Sequence, residues 1–321
     1  MTVRRRRPGS RPALRQVSSN SVRPTVARYR EIMTSVAPVL ASPLVSTQWL
    51  ADHLGAEKFA VLDATVLVAS GPHGGYVSGH EQFILTSHIP GAQFADLLEE
   101  FSDTTSGLRF TRPGRAQFEA AVGALGIDNE TTVVVYDSAL GQWASRVWWL
   151  FRSWGYDSVA VLDGGLTKWT AEERETAIGH SEATPATFHA VERPELWVDK
   201  TYVERVVRGE EQASLVCGVP PKEFTGEAVS RARAGHIPGS VNVPAGRLVD
   251  RETNAYLDRD ELHAKFSPVL GGSRIVAYCG AGIAAASDAL ALTLLGERNV
   301  AIYDGSLNEW AADPDSELAL G

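Results

Sequence analysis

"VLDGGLTKW" at residues 161–169 and "IYDGSLNEW" at residues 302–310 are two spellings of one pattern, and they decide how the chain is organised. Two more pairs run in the same order. "HIPGA" at 88–92 returns as "HIPGS" at 236–240, and "VVVYDS" at 133–138 returns as "IVAYCG" at 275–280. The offsets are 141, 148 and 142 residues, so order and spacing are both kept apart from small loop changes. Such self-similarity means one supersecondary unit written twice. A length of 321 residues suits two domains, since domains usually run to roughly 100–200 residues.

Within each copy, short apolar β-branched runs alternate with helical patterns. "FAVLDA" (59–64), "SLVCGV" (214–219) and "RIVAY" (274–278) have the length and branching of buried strands. "STQWLADHLG" (46–55) opens on a capping Ser and closes on a Gly suited to the C′ position. "ASRVWWLFRSWG" (144–155) carries an aromatic helical stripe, with "AAASDALALTLLG" as its later counterpart, and Trp148, Trp149 and Trp154 read as core packing. The alternation predicts an α/β fold with two tandem domains, each a mostly parallel sheet flanked by helices on both faces. The expected boundaries are a first domain over 43–175, a linker over 176–195 ("TAIGHSEATPATFHAVERPE" and its neighbours, aperiodic and with two prolines) and a second domain over 196–321.

Charge is unevenly spread. Residues 1–31 hold nine Arg and one acid, which leaves the rest of the chain with 21 basic and 38 acidic residues, a balance of −17. The segment 1–42 reads as a basic disordered extension; a targeting segment, a nucleic-acid-binding arm and a start at Met33 are the alternatives. It contains no apolar core of a secretory signal, and no run of about 18 apolar residues occurs anywhere, so no membrane partner is expected; on composition no nucleic-acid partner is expected either. Two cysteines, Cys217 and Cys279, exclude a disulfide framework and fit a reducing, cytoplasmic setting.

Cys279 is the candidate nucleophile. It follows a buried strand directly and precedes a helix beginning near Ile283 or Ala284, where free backbone N–H groups and the helix dipole favour an anion. For a cysteine that anion is its own thiolate. Gly280 and Gly282 admit backbone angles that let the loop Gly280, Ala281, Gly282, Ile283, Ala284 close around one sulfur as a backbone cradle. The first copy has Asp137 at the matching place, in "DSALGQWAS", so one copy is built around a thiol and the other is not.

Over about residues 43–318 the chain resembles the tandem-domain rhodanese-like sulfurtransferases, a family that includes thiosulfate and 3-mercaptopyruvate sulfurtransferases. The resemblance rests on "HIPGA", "VVVYD", "RVWWLFRSWG", "VAVLDGGLTKW", "AGHIPGSVNVP", "CGAGIA" and "YDGSLNEWAADP". It implies a silent first domain and a second domain whose Cys279 takes a sulfane sulfur from a small-molecule donor as a persulfide. A thiol, cyanide or thioredoxin-like acceptor then removes it, with no cofactor and no metal. A phosphatase of the related single-domain type would need Arg where Ala285 stands. A sulfur carrier without turnover is the remaining alternative.

Several positions depart from the family pattern. Ala281 and Ala284 stand where the mercaptopyruvate-type loop has Ser and Thr, and Val219 and Thr225 stand where two substrate-facing arginines are expected. Cys217 replaces the strand-end Asp, and Phe110 replaces a first-domain His. Arg233, with Arg231 beside it, is the candidate substitute for the missing clamp. Cys217 reads as a buried structural thiol, with a resolving role as the alternative. His88 and His236 belong to the repeated "HIPG" turns, His73 and His80 lack metal-site spacing, and "SGPHGGYVSG" (70–79) reads as a loop near the domain interface.

Overall fold

The computed structural model describes residues 37–69, 75–272 and 274–321. The basic extension through residue 36 and the stretch 70–74, His73 included, lie outside the described residues.

In the first half the elements are β1 (Leu44–Val45), α1 (Thr47–His53), β2 (Phe59–Asp63), a hairpin of β3 (Val66–Val68) and β4 (Tyr76–Ser78), α2 (His80–Leu85), β5 (Gln93–Phe94), α3 (Arg115–Ala124), β6 (Thr132–Tyr136), α4 (Gln142–Ser153), β7 (Val159–Leu162) and α5 (Gly165–Ala171). The second half gives β8 (Trp197–Val198), α6 (Lys200–Val207), β9 (Ser214–Cys217), α7 (Pro221–Phe224), β10 (Val241–Asn242), α8 (Arg259–Phe266), β11 (Ile275–Tyr278), α9 (Ala284–Leu295), β12 (Val300–Tyr303) and α10 (Ser306–Trp310). The sheet orders β1-β7-β6-β2-β5 and β8-β12-β11-β9-β10 are one topology realised twice, with every pair parallel.

The central strands are buried on both faces, which is why they are continuous apolar runs. Successive residues of β6 serve different cores, as strand geometry requires. Val133 and Val135 join the large core shared by both halves, whereas Val134 and Tyr136 face a smaller cluster with Leu50, Phe83 and Trp169. The helix signals hold locally: Ser46 Oγ accepts the Trp49 N–H to cap α1, and Gly55 adopts φ +79° just past its end. Helices α4 and α9 pack on one another between the halves, so the tryptophan stripe Trp148, Trp149 and Trp154 is buried there.

The repeated turns are structural. His88 and His236 are buried, each bonds a backbone carbonyl through Nδ1 at 2.8 Å, and each stacks on a phenylalanine, Phe83 or Phe224. Residues 176–195 lie along the first half rather than hanging free. His88 and Ala177 exchange backbone bonds, Ala186 N–H donates to Gly123, and Phe188 completes an aromatic cluster with Phe118, Phe151 and Tyr156. Among the described residues no helix is long and apolar enough to cross a membrane.

The halves clasp one another with equivalent residues. Asp163, at the end of β7, accepts the Tyr256 N–H at 2.8 Å, and Asp304, at the end of β12, accepts the Arg112 N–H at 2.7 Å. The clasping loops each contain a residue in the left-handed region, Asn254 at φ +56° and Phe110 at φ +63°.

Candidate active site

The carboxyl ends of β9 and β11, the loop 279–283 and the facing loop of the first half enclose a cavity of about 700 Å³. Cys279 lies at its floor, only 3 % exposed yet lining the cavity. In open parallel sheets ligands sit beyond the carboxyl ends of strands, and this cleft follows that rule.

Loop 279–283 is held from below by Ser306. Its Oγ accepts the N–H groups of Cys279 and Gly282, both at 3.1 Å, and donates to the Tyr303 carbonyl at 2.8 Å. Ser306 adopts φ +50°, a strained setting for a residue with Cβ, and is fully buried. The carbonyls of Cys279 and Gly280 accept from Leu307 and Asn308 at the start of α10. The N–H groups of Gly280, Ala281, Ile283 and Ala284 have no acceptor among the described residues. Gly282 therefore contributes shape, at φ +74°, and not a cradle donor, because its N–H is taken by Ser306.

The first half shows what such a loop does with an anion. Asp137, fully buried at the position matching Cys279, accepts four backbone N–H groups: Ala139 and Gly141 on Oδ1, at 2.8 and 3.0 Å, and Trp143 and Ala144 on Oδ2, at 2.9 and 3.0 Å. Burial pushes its carboxyl up, and the four donors pull it back. Where Ser306 stands in the second half, the first has Gly165.

The first half also supplies walls and a brace. Tyr76, Arg109, Leu140, Gln142 and Trp143 line the cavity opposite Cys279. Arg146 of α4 is fully buried and reaches across to Asp304 at 2.7 Å, a close charge pair rather than an aligned hydrogen bond, and it lies 4.8 Å from the Trp197 ring. It also donates to the carbonyls of Phe110 and Gly282. A Cβ at Gly282 would come within 2.9 Å of Asp304 Oδ1 and 3.1 Å of Arg146 Nη1, so glycine is required there twice over. Sequence reasoning missed Ser306, Arg146 and Asp304. The repeat carried the signal for Ser306, because "DGG" becomes "DGS" in the same copy in which Asp137 becomes Cys279.

Arg233, the candidate clamp residue, does not line the cavity. Its guanidinium is spent on the carbonyls of Trp310, Ala311, Asp313 and Ser316, so it staples the C-terminal segment to the domain. Its neighbour Arg231 lines the cavity, and a Cβ at Gly280 would meet its Nη2 at 3.3 Å. That guanidinium is bonded to Glu223 at 2.7 Å. Val219 lines the cavity as an apolar wall, whereas Thr225 lies outside the lining and its hydroxyl bonds Glu227.

Cys217 sits beneath the site. It pairs in register with Tyr278, is fully buried, and burial pushes its thiol up to about 12. The equivalent residue of the first half is Asp63, in register with Tyr136, and burial raises that carboxyl to about 6. Both tyrosine hydroxyls accept a backbone N–H of the "HIPG" turn at 3.1 Å, Ile89 in one half and Ile237 in the other.

Comparison with known proteins agrees with this geometry. The rhodanese-like domain model matches residues 46–172 and 217–313. The chain is 36% identical to thiosulfate/3-mercaptopyruvate sulfurtransferase 2 of Arabidopsis thaliana, over 89% of each chain. It is 37% identical to thiosulfate sulfurtransferase of Rattus norvegicus, over 89% of this chain and 98% of that one. Among solved structures, the 3-mercaptopyruvate sulfotransferase SseA of Escherichia coli superposes with a TM-score of 0.73 at 32% identity, covering 83% of this chain and 99% of that one.

Proposed function

The chain belongs to the rhodanese-like family and is a sulfurtransferase of the thiosulfate/3-mercaptopyruvate class, and on that premise we propose that Cys279 is the residue that carries the sulfur. The observation that supports this most is the pair of matched loops. The fold holds a carboxylate on four amides at Asp137 and, at the same place in the other half, presents a thiol at the floor of a cavity.

The chemistry is a two-step exchange. The Cys279 thiolate attacks the sulfane sulfur of the donor, a new S–S bond forms, and the donor's bond to that sulfur breaks with its electron pair kept by the leaving group. The product is Cys279–S–S⁻. An acceptor nucleophile then bonds the outer sulfur, the S–S bond breaks, and the thiolate returns. The amides of Gly280, Ala281, Ile283 and Ala284, without acceptors among the described residues, supply fixed dipoles to the sulfur anion in both states. Thiosulfate or 3-mercaptopyruvate serves as donor, and a thiol, cyanide or a thioredoxin-like protein as acceptor. Residues 43–175 form the silent half, 176–195 the linker and 196–321 the catalytic half. Two unpaired cysteines fit a cytoplasmic setting.

Intact mass after exposure to thiosulfate or 3-mercaptopyruvate tests the assignment. One added sulfur is expected on the wild type and none on Cys279→Ser, with acceptor turnover lost by about 10³-fold or more. Sulfur retained on the Ser variant removes Cys279 from the role.

A further inference from the structure

Where the cavity holds its positive charge says which substrates it fits. Among the described residues four arginines line it, Arg109, Arg231, Arg247 and Arg251, against a single acid, Glu223. Arg231, the one set against the Cys279 loop, is 10 % exposed and spends its charge on Glu223 at 2.7 Å. Val219, Gly280 and Ala281 add no charge beside the sulfur. The other three arginines are exposed, and among the described residues none has a carboxylate within 4.0 Å. Arg109 comes from the first half, Arg247 and Arg251 from the loop after β10, so the unpaired charge converges from both domains. A short anion at the floor thus meets a neutralised cation, while the available cations stand at the exposed rim.

Size points the same way. Cavities of about 300–1,000 Å³ enclose ligands of drug size, and about 700 Å³ far exceeds what thiosulfate or 3-mercaptopyruvate fills. The apolar walls Val219, Leu140, Trp143 and Ile283 suit the body of a longer molecule.

We propose that Arg109, Arg247 and Arg251 form a two-domain anion clamp for an extended thiol or its persulfide, whose carboxylates lie several bonds from the reacting sulfur. This rests on the reading of Cys279 as sulfur carrier. The clamp holds the acidic arm at the rim while the sulfur reaches the floor, and guanidinium forks match carboxylates well.

The test uses the full chain loaded with sulfur from thiosulfate and two synthetic acceptors with the same thiol: the peptide Ac-Cys-Gly-Glu with a free C-terminus, and Ac-Cys-Gly-Gln amide. The wild type is expected to favour the acidic peptide by about tenfold in kcat/KM, mainly through KM, with the ratio shrinking as salt rises. The ratio falls towards one in Arg109→Gln/Arg247→Gln/Arg251→Gln, and Arg247→Glu/Arg251→Glu reverses it. No preference in the wild type, a preference unchanged in the triple variant, or one abolished only by Arg231→Gln overturns the clamp. Absence of sulfur on Cys279 after thiosulfate treatment, with no transfer to either peptide or to mercaptoethanol, would instead sink the underlying assignment of Cys279.

Discussion

The loops after β6 and β11 begin at the same point of one topology, span the same number of residues before their helices, and solve one problem in opposite ways. Both leave backbone N–H groups pointing inward at a helix start, and such groups need an acceptor. After β6 the acceptor is internal and permanent, the Asp137 carboxylate with its four donors. After β11 a serine from the next helix takes two N–H groups and leaves others open beside a thiol. The first loop closes four N–H groups on its own carboxylate and is therefore structural; the second has no such internal anion among the described residues and is therefore able to receive charge. The first half also walls the site of the second, because Leu140 of the first loop and Gln142 and Trp143 at the start of α4 line the cavity of Cys279.

The sharpest way to break this comparison is to remove each anion. Asp137→Ala strands four buried donors at once and should lower unfolding free energy by about 3–5 kcal/mol, read as a fall in denaturant midpoint. Cys279→Ser should change stability by about 1 kcal/mol or less while abolishing sulfur transfer. Comparable stability losses in the two variants would mean that the loops do the same work.

A second contrast lies one strand over, where Asp63 and Cys217 occupy equivalent places. Asp63 titrates near 6 in the folded protein against 3.8 for a free carboxyl. A carboxyl raised on folding stabilises the native state fully below the lower value and loses that contribution as pH rises through the higher one. The unfolding free energy of wild type minus that of Asp63→Asn should therefore fall by about 2.4 kcal/mol between pH 4 and 7, at no more than about 1.4 kcal/mol per unit, and stay flat above. A difference that is flat from pH 4 to 7 would show that the buried carboxyl is compensated in the native state.

Ser306 tests how the open loop is held. Ser306→Ala leaves the Cys279 and Gly282 N–H groups without an acceptor, which should cost about 1–3 kcal/mol and slow sulfur loading about tenfold. Ser306→Gly copies the first half at that position and relieves the left-handed backbone, so it should be more stable than Ser306→Ala by about 1 kcal/mol. Its loading should be no faster, because the hydroxyl is still missing. Full loading in either variant would remove Ser306 from the support of the site.

How far the residues alone lead depends on whether a function is local in the chain. The doubled parallel sheet, the strand-loop-helix around Cys279 and the structural "HIPG" turns were readable because period, caps and the repeat all speak locally. The setting of Arg233 is illegible for the opposite reason: its carbonyl partners lie 77 to 83 positions away, and nothing in "SRARAGHIPG" announces them. Arg146 and Asp304 meet only because α4 and β12 converge between the halves. Ser306 was legible in principle, from a second comparison within the repeat.

Cys217 gives the smallest expected effect, and the reason separates proximity from reactivity. Its register partner is Tyr278, so their side chains share one face of the sheet, and the following residue, Cys279, turns to the cavity instead. Thiol–disulfide exchange needs a thiolate, and a thiol pushed up to about 12 supplies almost none at neutral pH. Its titration lies above the ordinary value of 9.0, so unlike Asp63 it adds no pH dependence to stability between pH 4 and 8. Cys217→Ser should thus leave sulfur loading of Cys279, and its recovery after mild peroxide treatment, within about twofold, at a stability cost of about 1 kcal/mol. A Cys217–Cys279 disulfide peptide in the wild-type digest, with recovery lost in the variant, would make the buried thiol a resolving partner and turn the equivalence with Asp63 into a functional divergence.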